Sequence, residues 1–382
     1  MTTGWPLVKL GDVLRKSERT ITLQPDTWYK EVTVRMNGNG VTERRQVKGI
    51  EIGSGRRYEA LAGQFIISRI DARHGASGLI PDALAGAIVT NDFPLFDVVE
   101  DRLEPRFLHW VSKTGAFVAL CKRASEGTTN RVRLSEDRFE ALQVSLPPLH
   151  EQKRIVGRIE KFVSKISEAK ALRAACAELG QTFVVSTHNT LATSKPEPLS
   201  NYLELHEEAV SIELGKPYPQ VGVRGFGGGL FPKPPVMGGE TTYRTFNRLY
   251  PGAIVLSQVK GWEGAVAVVP DHLDGYFVSP EYRTFKCKLD RCLPDYLASI
   301  VSTEFFWGRL KDATHGAGAR RERTRPERFL QLGFSFPTLS DQRKAIAIFE
   351  RLRAARELQA QTAIEIDAVL PAILDKAFRG EL

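Results

Sequence analysis

A long amphipathic segment that occurs twice restricts this chain more than any other feature. Residues 147–185 read PPLHEQKRIVGRIEKFVSKISEAKALRAACAELGQTFVV. Two prolines stop whatever precedes the segment, because neither can donate a backbone hydrogen bond or continue a helix. Beyond Glu151, apolar side chains fall at Ile155, Ile159, Phe162, Ile166, Ala169, Leu172, Cys176, Leu179 and Phe183. Gaps of three and four put all of them on one helix face. About 30 helical residues at ~1.5 Å each make a rod of about 45 Å, too long for an ordinary globular helix. Residues 336–382 repeat the pattern. A shift of 190 positions brings Pro147 onto Pro337, Leu149 onto Leu339, Gln152 onto Gln342, Phe162 onto Leu352, Cys176 onto Ile366 and Phe183 onto Ile373. Gly180 then falls one residue before the position of Pro371, so the helix breaks are expected to coincide as well.

The repeat extends beyond the helices. With a constant shift of 189, Gly63 meets Gly252, Ser68 meets Ser257, Gly75 meets Gly264, Pro81 meets Pro270, Gly86 meets Gly275, Phe96 meets Phe285 and Pro105 meets Pro294. Ungapped agreement at Gly and Pro marks shared backbone turns. The order is therefore globular unit, long helix, globular unit, long helix, with boundaries at 1–148, 149–190, 191–338 and 339–382. A two-fold relation between the repeats makes the two helices an antiparallel coiled coil and returns the C-terminus to the N-terminus. Strands are expected at 28–36, closed by the hairpin signal NGNG (37–40), and at 63–71 and 86–98. A helix is expected at 106–121, and 7–14 reads as a short helix or strand. The second unit repeats this plan at 252–260, 265–270, 276–289 and 294–310. The fold class is α/β, of mixed α+β character. The first halves, 33–58 and 221–244, differ most, as expected of two copies reading different ligands.

With 382 residues, 42% of them hydrophobic, the chain can build two ordinary cores. A net charge of +8 favours a polyanionic partner. Cys121, Cys176, Cys287 and Cys292 form no CxxC pair and read as small core residues in a reducing compartment. No stretch reaches the ~20 apolar residues that a membrane span requires, and the expected location is the cytoplasm.

Cations gather in corresponding loops. Before the second spacer, Arg320, Arg321, Arg323, Arg325 and Arg328 fall close together; the first unit has Lys122, Arg123, Arg131, Arg133 and Arg138 at the matching place, with the neutral Asn130 beside them as a further contact candidate. Further candidates for nucleic-acid contact are Arg56, Arg57, Arg69 and Arg73 in the first unit and Arg224, Lys233, Gln258 and Lys260 in the second. Arginine forks grip phosphate and can also read guanine bidentately. A solvated charged surface is the plain alternative for any single run, and recurrence in both units argues against it.

Catalytic signatures are missing. GFGGGLF (225–231) lacks the following GKS/T of a phosphate loop and reads as a flexible loop. There is no NPPY-like tetrapeptide and no F-x-G-x-G, and the pair PD (270–271) and EYR (281–283) has no counterpart in the first unit. The seven histidines form no cluster suited to metal or triad chemistry. The helices offer a partner-binding face instead, with Ile155, Ile159, Phe162 and Ile166 on the first and Ile348, Leu352, Ile366 and Val369 on the second. The second helix reads as a heptad through Ala345, Ile348, Leu352, Ala355, Gln359, Thr362, Ile366, Val369 and Ile373.

Two variable units each followed by a long helix, PPLHEQKRIV at the first junction and LPAILDKAFRGEL at the end resemble the specificity subunit of type I restriction-modification systems. GQFIISRIDARHGASG (63–78), GAIVTNDFP (86–94) and GVRGFGGGLF (222–231) are similar to segments of its target-recognition domains. The second junction, PTLSDQRKAI, is looser. The resemblance implies a non-catalytic reader of double-stranded DNA in which each recognition domain takes one half of a split target. Two methyltransferase subunits and the translocating restriction subunits would dock on it, and S-adenosylmethionine and ATP would be bound by those partners. The alternative is a non-catalytic coiled-coil scaffold whose globular modules bind protein or RNA.

Overall fold

The computed structural model describes residues 4–126, 132–315 and 323–382. The chain divides into two compact units, Met1–Lys170 with Thr362–Leu382, and Ala171–Gln361.

The two units have one topology. In the first, a four-stranded antiparallel sheet runs in the order Leu14–Ser17, Leu95–Val98, Phe65–Ile67, Ser77–Leu79. A five-stranded sheet runs Thr20–Ile21, Arg57–Glu59, Ile88–Val89, Trp28–Val34, Val41–Lys48, with one parallel pairing at Glu31 and Ile88. The second unit has the same two orders: Leu203–Leu205, Tyr282–Cys287, Ile254–Ser257, Val266–Val268, and Glu208–Ser211, Thr245–Arg248, Phe277–Val278, Pro217–Val223, Leu230–Met237. Its parallel pairing also recurs, at Gln220 and Phe277.

Successive strand residues point to opposite faces, and this period of two builds two cores per unit. Phe65, Ile67 and Phe96 pack with Phe107, Leu108, Phe117 and Phe139 on the helical side of the four-stranded sheet. Ile66 and Leu95 face the other way, against Val32, Val34 and Val89 of the five-stranded sheet. In the second unit Ile254 and Leu256 take the helical side and Val255 the other.

The stretches 33–58 and 221–244 differ in sequence but share a backbone. GFGGGLF is the turn of a hairpin, not a flexible loop. Asn37, Gly38 and Gly40 have positive φ, and so do Phe226, Gly227 and Gly229. Each hairpin tip donates two backbone hydrogen bonds to a neighbouring turn: Asn37 N to His74 O and Gly38 N to Gly75 O, Phe226 N to Glu263 O and Gly227 N to Gly264 O. A Cβ on Gly227 would lie 2.2 Å from the Ser302 carbonyl oxygen, whereas one on Gly229 would meet nothing within 4 Å. Gly227→Ala is therefore expected to cost roughly 2 kcal/mol more than Gly229→Ala in urea unfolding, because both strain the backbone but only the first collides.

Several local expectations need correction. Residues 106–121 form two helices, Pro105–Ser112 and Gly115–Arg123, because Thr114 caps the second by accepting from Phe117 N. The first long helix runs Leu149–Leu191, one residue beyond the expected 149–190. Gly180 does not break it; the missing side chain admits the Arg356 guanidinium, 3.0 Å from where a Cβ would stand. The last helical segment is two helices, Leu339–Gln361 and Ala363–Phe378, interrupted at Thr362, and Pro371 lies inside the second. Cys176 is exposed, while Cys121, Cys287 and Cys292 are buried.

The helices run antiparallel within each unit. In the first, Arg154 donates to the Leu382 main-chain oxygen at 2.6 Å and Lys170 meets Asp367 at 2.5 Å. Phe378 packs edge-on against Phe107, and Gly380 lies against the Trp5 ring. In the second, Arg173 donates to Gln359 O and Arg356 to Ala177 O. Each helix start is pinned by a fully buried glutamine. Gln152 Oε1 accepts from Glu104 N at 2.8 Å, and its Nε2 donates to Arg102 O and Pro147 O. Gln342 makes the equivalent bonds with Leu293 N, Arg291 O and Pro337 O. Among the described residues, no helix is long and apolar enough to cross a membrane.

Candidate nucleic-acid interface

In each unit several of the sequence-predicted contact residues converge on the turn that follows a buried strand. In the second unit Ser257–Gly264 forms a turn after a buried strand, and three elements converge on it. The hairpin tip donates to Glu263 O and Gly264 O. A two-stranded tongue, Thr314–His315 with Arg323–Thr324, returns against it, where Thr324 N donates to Gln258 O and the Thr324 side chain fills the space beside Gly261. The segment before Tyr282 closes the third side, with Gln258 N donating to Glu281 O. This brings Gln258, Lys260 and Arg323 together. Arg224 and Lys233, on the hairpin, both stand over the Phe231 ring at 4.6 and 5.8 Å.

The first unit repeats the convergence. Its tongue, Ser125–Glu126 with Arg133–Leu134, is tied by Leu134 N to Arg69 O, and Arg69 N donates to Asp92 O. Arg73 lies in the turn Ala72–His74, which packs against the helix Gly115–Arg123; that helix ends in exposed Lys122 and Arg123 at the base of the tongue. Tyr58 pairs with Val89, which places Arg57 opposite Thr90, close to the loop of Asp92; exposed Arg56 precedes it. Asn130, Arg131, Arg320 and Arg321 lie outside the described residues.

Ion pairs qualify the picture of bare cations. Arg133 Nη1 is 2.8 Å from Asp92, and Arg323 Nη1 is 2.5 Å from Glu281. Arg69 lies 3.6 Å from Glu136, which also holds Lys16 at 2.6 Å, and Lys260 lies 3.6 Å from Glu263. The hydrogen bond from Lys16 to Glu136 raises the lysine pKa, and that from Arg323 to Glu281 raises the arginine pKa; both cations stay charged at neutral pH. Sequence reasoning missed Asp92, Glu281 and Glu136, since nothing along the chain ties an acid to an arginine forty or more residues away. Among the described residues, no group of His, Cys, Asp and Glu is placed to hold a metal ion.

The helical face proposed for partners also divides. Ile155 and Ile159 are 1% and 0% exposed inside the first unit's own core, so neither is available to a partner. The second helix turns Phe349 inward against Tyr296 and leaves Ile348 exposed, because the domain core, rather than a heptad seam, sets its rotation. Phe162 and Val369 are exposed, and Ile166, Leu352 and Ile366 are half-buried. Leu172, Leu179, Leu358 and Ile364 are exposed apolar residues that the partner-face assignment omitted.

Residues 3–174 match the family model described as type I restriction modification DNA specificity domain. The fold is similar to that of the HsdS subunit from Thermoanaerobacter tengcongensis, at 20% identity and a TM-score of 0.54, over 99% of this chain and 97% of that one. It is also similar to a chain from a structure described as the basis of complex assembly and conformational transition of the type I R-M system, at 20% identity and a TM-score of 0.66, over 99% and 98% of the two chains. No curated protein matches the sequence. Residues 3–174 are thus similar to a type I restriction modification DNA specificity domain, and the whole chain shares its fold from end to end with the HsdS subunit and the type I R-M chain.

Proposed function

We propose that the chain reads a bipartite, asymmetric DNA target, with 1–148 and 191–338 as its two target-recognition domains and 149–190 and 339–382 as spacer helices. One observation carries this reading: a one-to-one repeat of topology with different side chains at equivalent places. Arg69 stands where the second unit has Gln258, and the hairpin tip Asn37–Gly38 stands where it has Phe226–Gly227. Equal scaffolds with unequal reading groups imply two half-sites that are not inverted copies. The cations at the convergent turns grip phosphate and aim at base edges. Replacing Arg320 and Arg321 with alanine is expected to weaken binding and flatten its salt dependence, by roughly one log–log unit per lost phosphate contact. An unchanged slope in a titration of salt against affinity would remove these residues from the interface.

The exposed apolar residues of the helices are the proposed docking face for two methyltransferase subunits, with restriction subunits joining them; S-adenosylmethionine and ATP belong to those partners, and the assembly works in the cytoplasm. In the second unit a groove of about 650 Å³ between the helices is lined by Leu179, Phe183, Leu352 and Ala355. A Leu172→Gln, Leu179→Gln, Leu358→Gln variant should keep the melting temperature of the free chain, since all three side chains are exposed. Its affinity for the methyltransferase subunit should fall at least about 100-fold, as expected when two or three apolar anchors are lost. Undiminished copurification of the two subunits would place the docking face elsewhere.

A further inference from the structure

On a surface proposed to face DNA, the least expected feature is a carboxylate, and each unit carries one at the same place. Asp92 and Glu281 are related by the 189-residue shift, and the arginines they hold, Arg133 and Arg323, sit at matching positions of the two tongues. The backbone around each pair is laced identically. Leu134 N donates to Arg69 O and Arg69 N to Asp92 O, while Thr324 N donates to Gln258 O and Gln258 N to Glu281 O. Acid and guanidinium are thus fixed as neighbours by the fold and do not depend on a chance meeting of two long side chains. Exposed ion pairs contribute little to folding stability, and the arginines are both 51% exposed. Stability therefore does not explain why the arrangement occurs twice.

We infer that Asp92 and Glu281 are specificity-determining residues that restrain the tongue arginines on DNA. This rests on the proposed reading of the two units as DNA readers. A guanidinium beside a carboxylate has little net charge to offer a phosphate, so it adds little to sequence-independent attraction. The pair engages only part of the planar fork: one Arg133 nitrogen bonds Asp92, and two Arg323 nitrogens bond Glu281. Among the described residues nothing else bonds the remaining N–H donors, and their direction is set by the ion pair, which suits a bidentate contact to one base edge. The carboxylate thereby suppresses binding to wrong sequences more than to the right one.

Glu281→Gln and Asp92→Asn keep size and shape while removing the charge. Each variant, assembled with the methyltransferase subunit, would be titrated against the duplex selected by the unchanged protein from a random library, and against a scrambled duplex, from about 50 to 200 mM salt. The expected result is a several-fold gain in affinity for scrambled DNA and a salt slope steeper by about one unit. Affinity for the selected duplex should rise less or fall, so discrimination drops. Reselection should show relaxation confined to one half-site, a different half for each variant. Equal gains on both duplexes, losses on both, or no change would overturn the inference alone. Absence of any sequence preference in the unchanged assembly would overturn the DNA-reading assignment and the restraint with it.

Discussion

Gln152→Leu and Gln342→Leu should each remove roughly 3 kcal/mol of stability, far more than an exposed glutamine on a helix would. Each side chain is 0% exposed and satisfies one backbone N–H and two carbonyls that have been withdrawn from water. Leucine fits the volume but bonds to none of them. A buried polar group left unpaired costs about 1–3 kcal/mol, and three are exposed to that penalty at each site. Urea unfolding should show a lower midpoint with an unchanged slope. A loss under about 1 kcal/mol would mean that water or a neighbouring group takes over the glutamine's role. The same bonds explain why each junction pairs a proline with a glutamine five residues later: Pro147 or Pro337 ends the preceding strand, and Gln152 or Gln342 ties the first helical turn to the loop before Pro105 or Pro294.

Acid should weaken the second unit through His188. The ring is 1% exposed, 2.8 Å from the Tyr296 hydroxyl and packed against Phe305 and Phe336. Burial, reinforced by the Arg309 guanidinium, lowers its pKa from 6.5 to about 4. The native ring is therefore neutral where an unfolded chain already binds a proton. Its contribution to stability is complete above pH 6.5, falls away as the pH drops toward 4, and amounts to about 3 kcal/mol over that range. His109 in the first unit, with burial as the main cause and Lys113 adding to it, is likewise lowered to about 4. A His188→Gln variant should flatten the pH dependence of unfolding between pH 6.5 and 4 relative to the parent. An identical pH profile would show that His188 protonates without cost in the folded unit.

The backbone plan was largely legible because the repeat is written in residues that dictate geometry. Gly63, Gly75 and Gly86 and their partners at 252, 264 and 275 all have positive φ, and Pro105 and Pro294 both open helices. Their ungapped spacing gave the duplication before any strand was assigned. Helix rotation was not legible. Ile348 and Phe349 fit an apolar stripe equally well, and only the packing of Tyr296 against Phe349 turns the second inward. The first helix shows the same limit from the other side: its periodic apolar residues continue through Leu172 and Leu179, yet those remain exposed while Ile155, Val156 and Ile159 enter the core. The cationic loops were found by composition, but the acids that hold them were not, since an ion pair between Arg133 and Asp92 is a property of the folded chain.

The central claim is that each unit reads its own half of one split target, and exchange of one unit tests it most directly. Residues 191–338 would be replaced by the same segment of a relative with a different target, and the hybrid expressed with its methyltransferase subunit. Sequencing of methylated sites in the host DNA then gives both half-sites and the gap between them. The account predicts a new half-site on one side, with the other half and the gap unchanged. New bases on both sides of the gap, or a target with no gap, would contradict it.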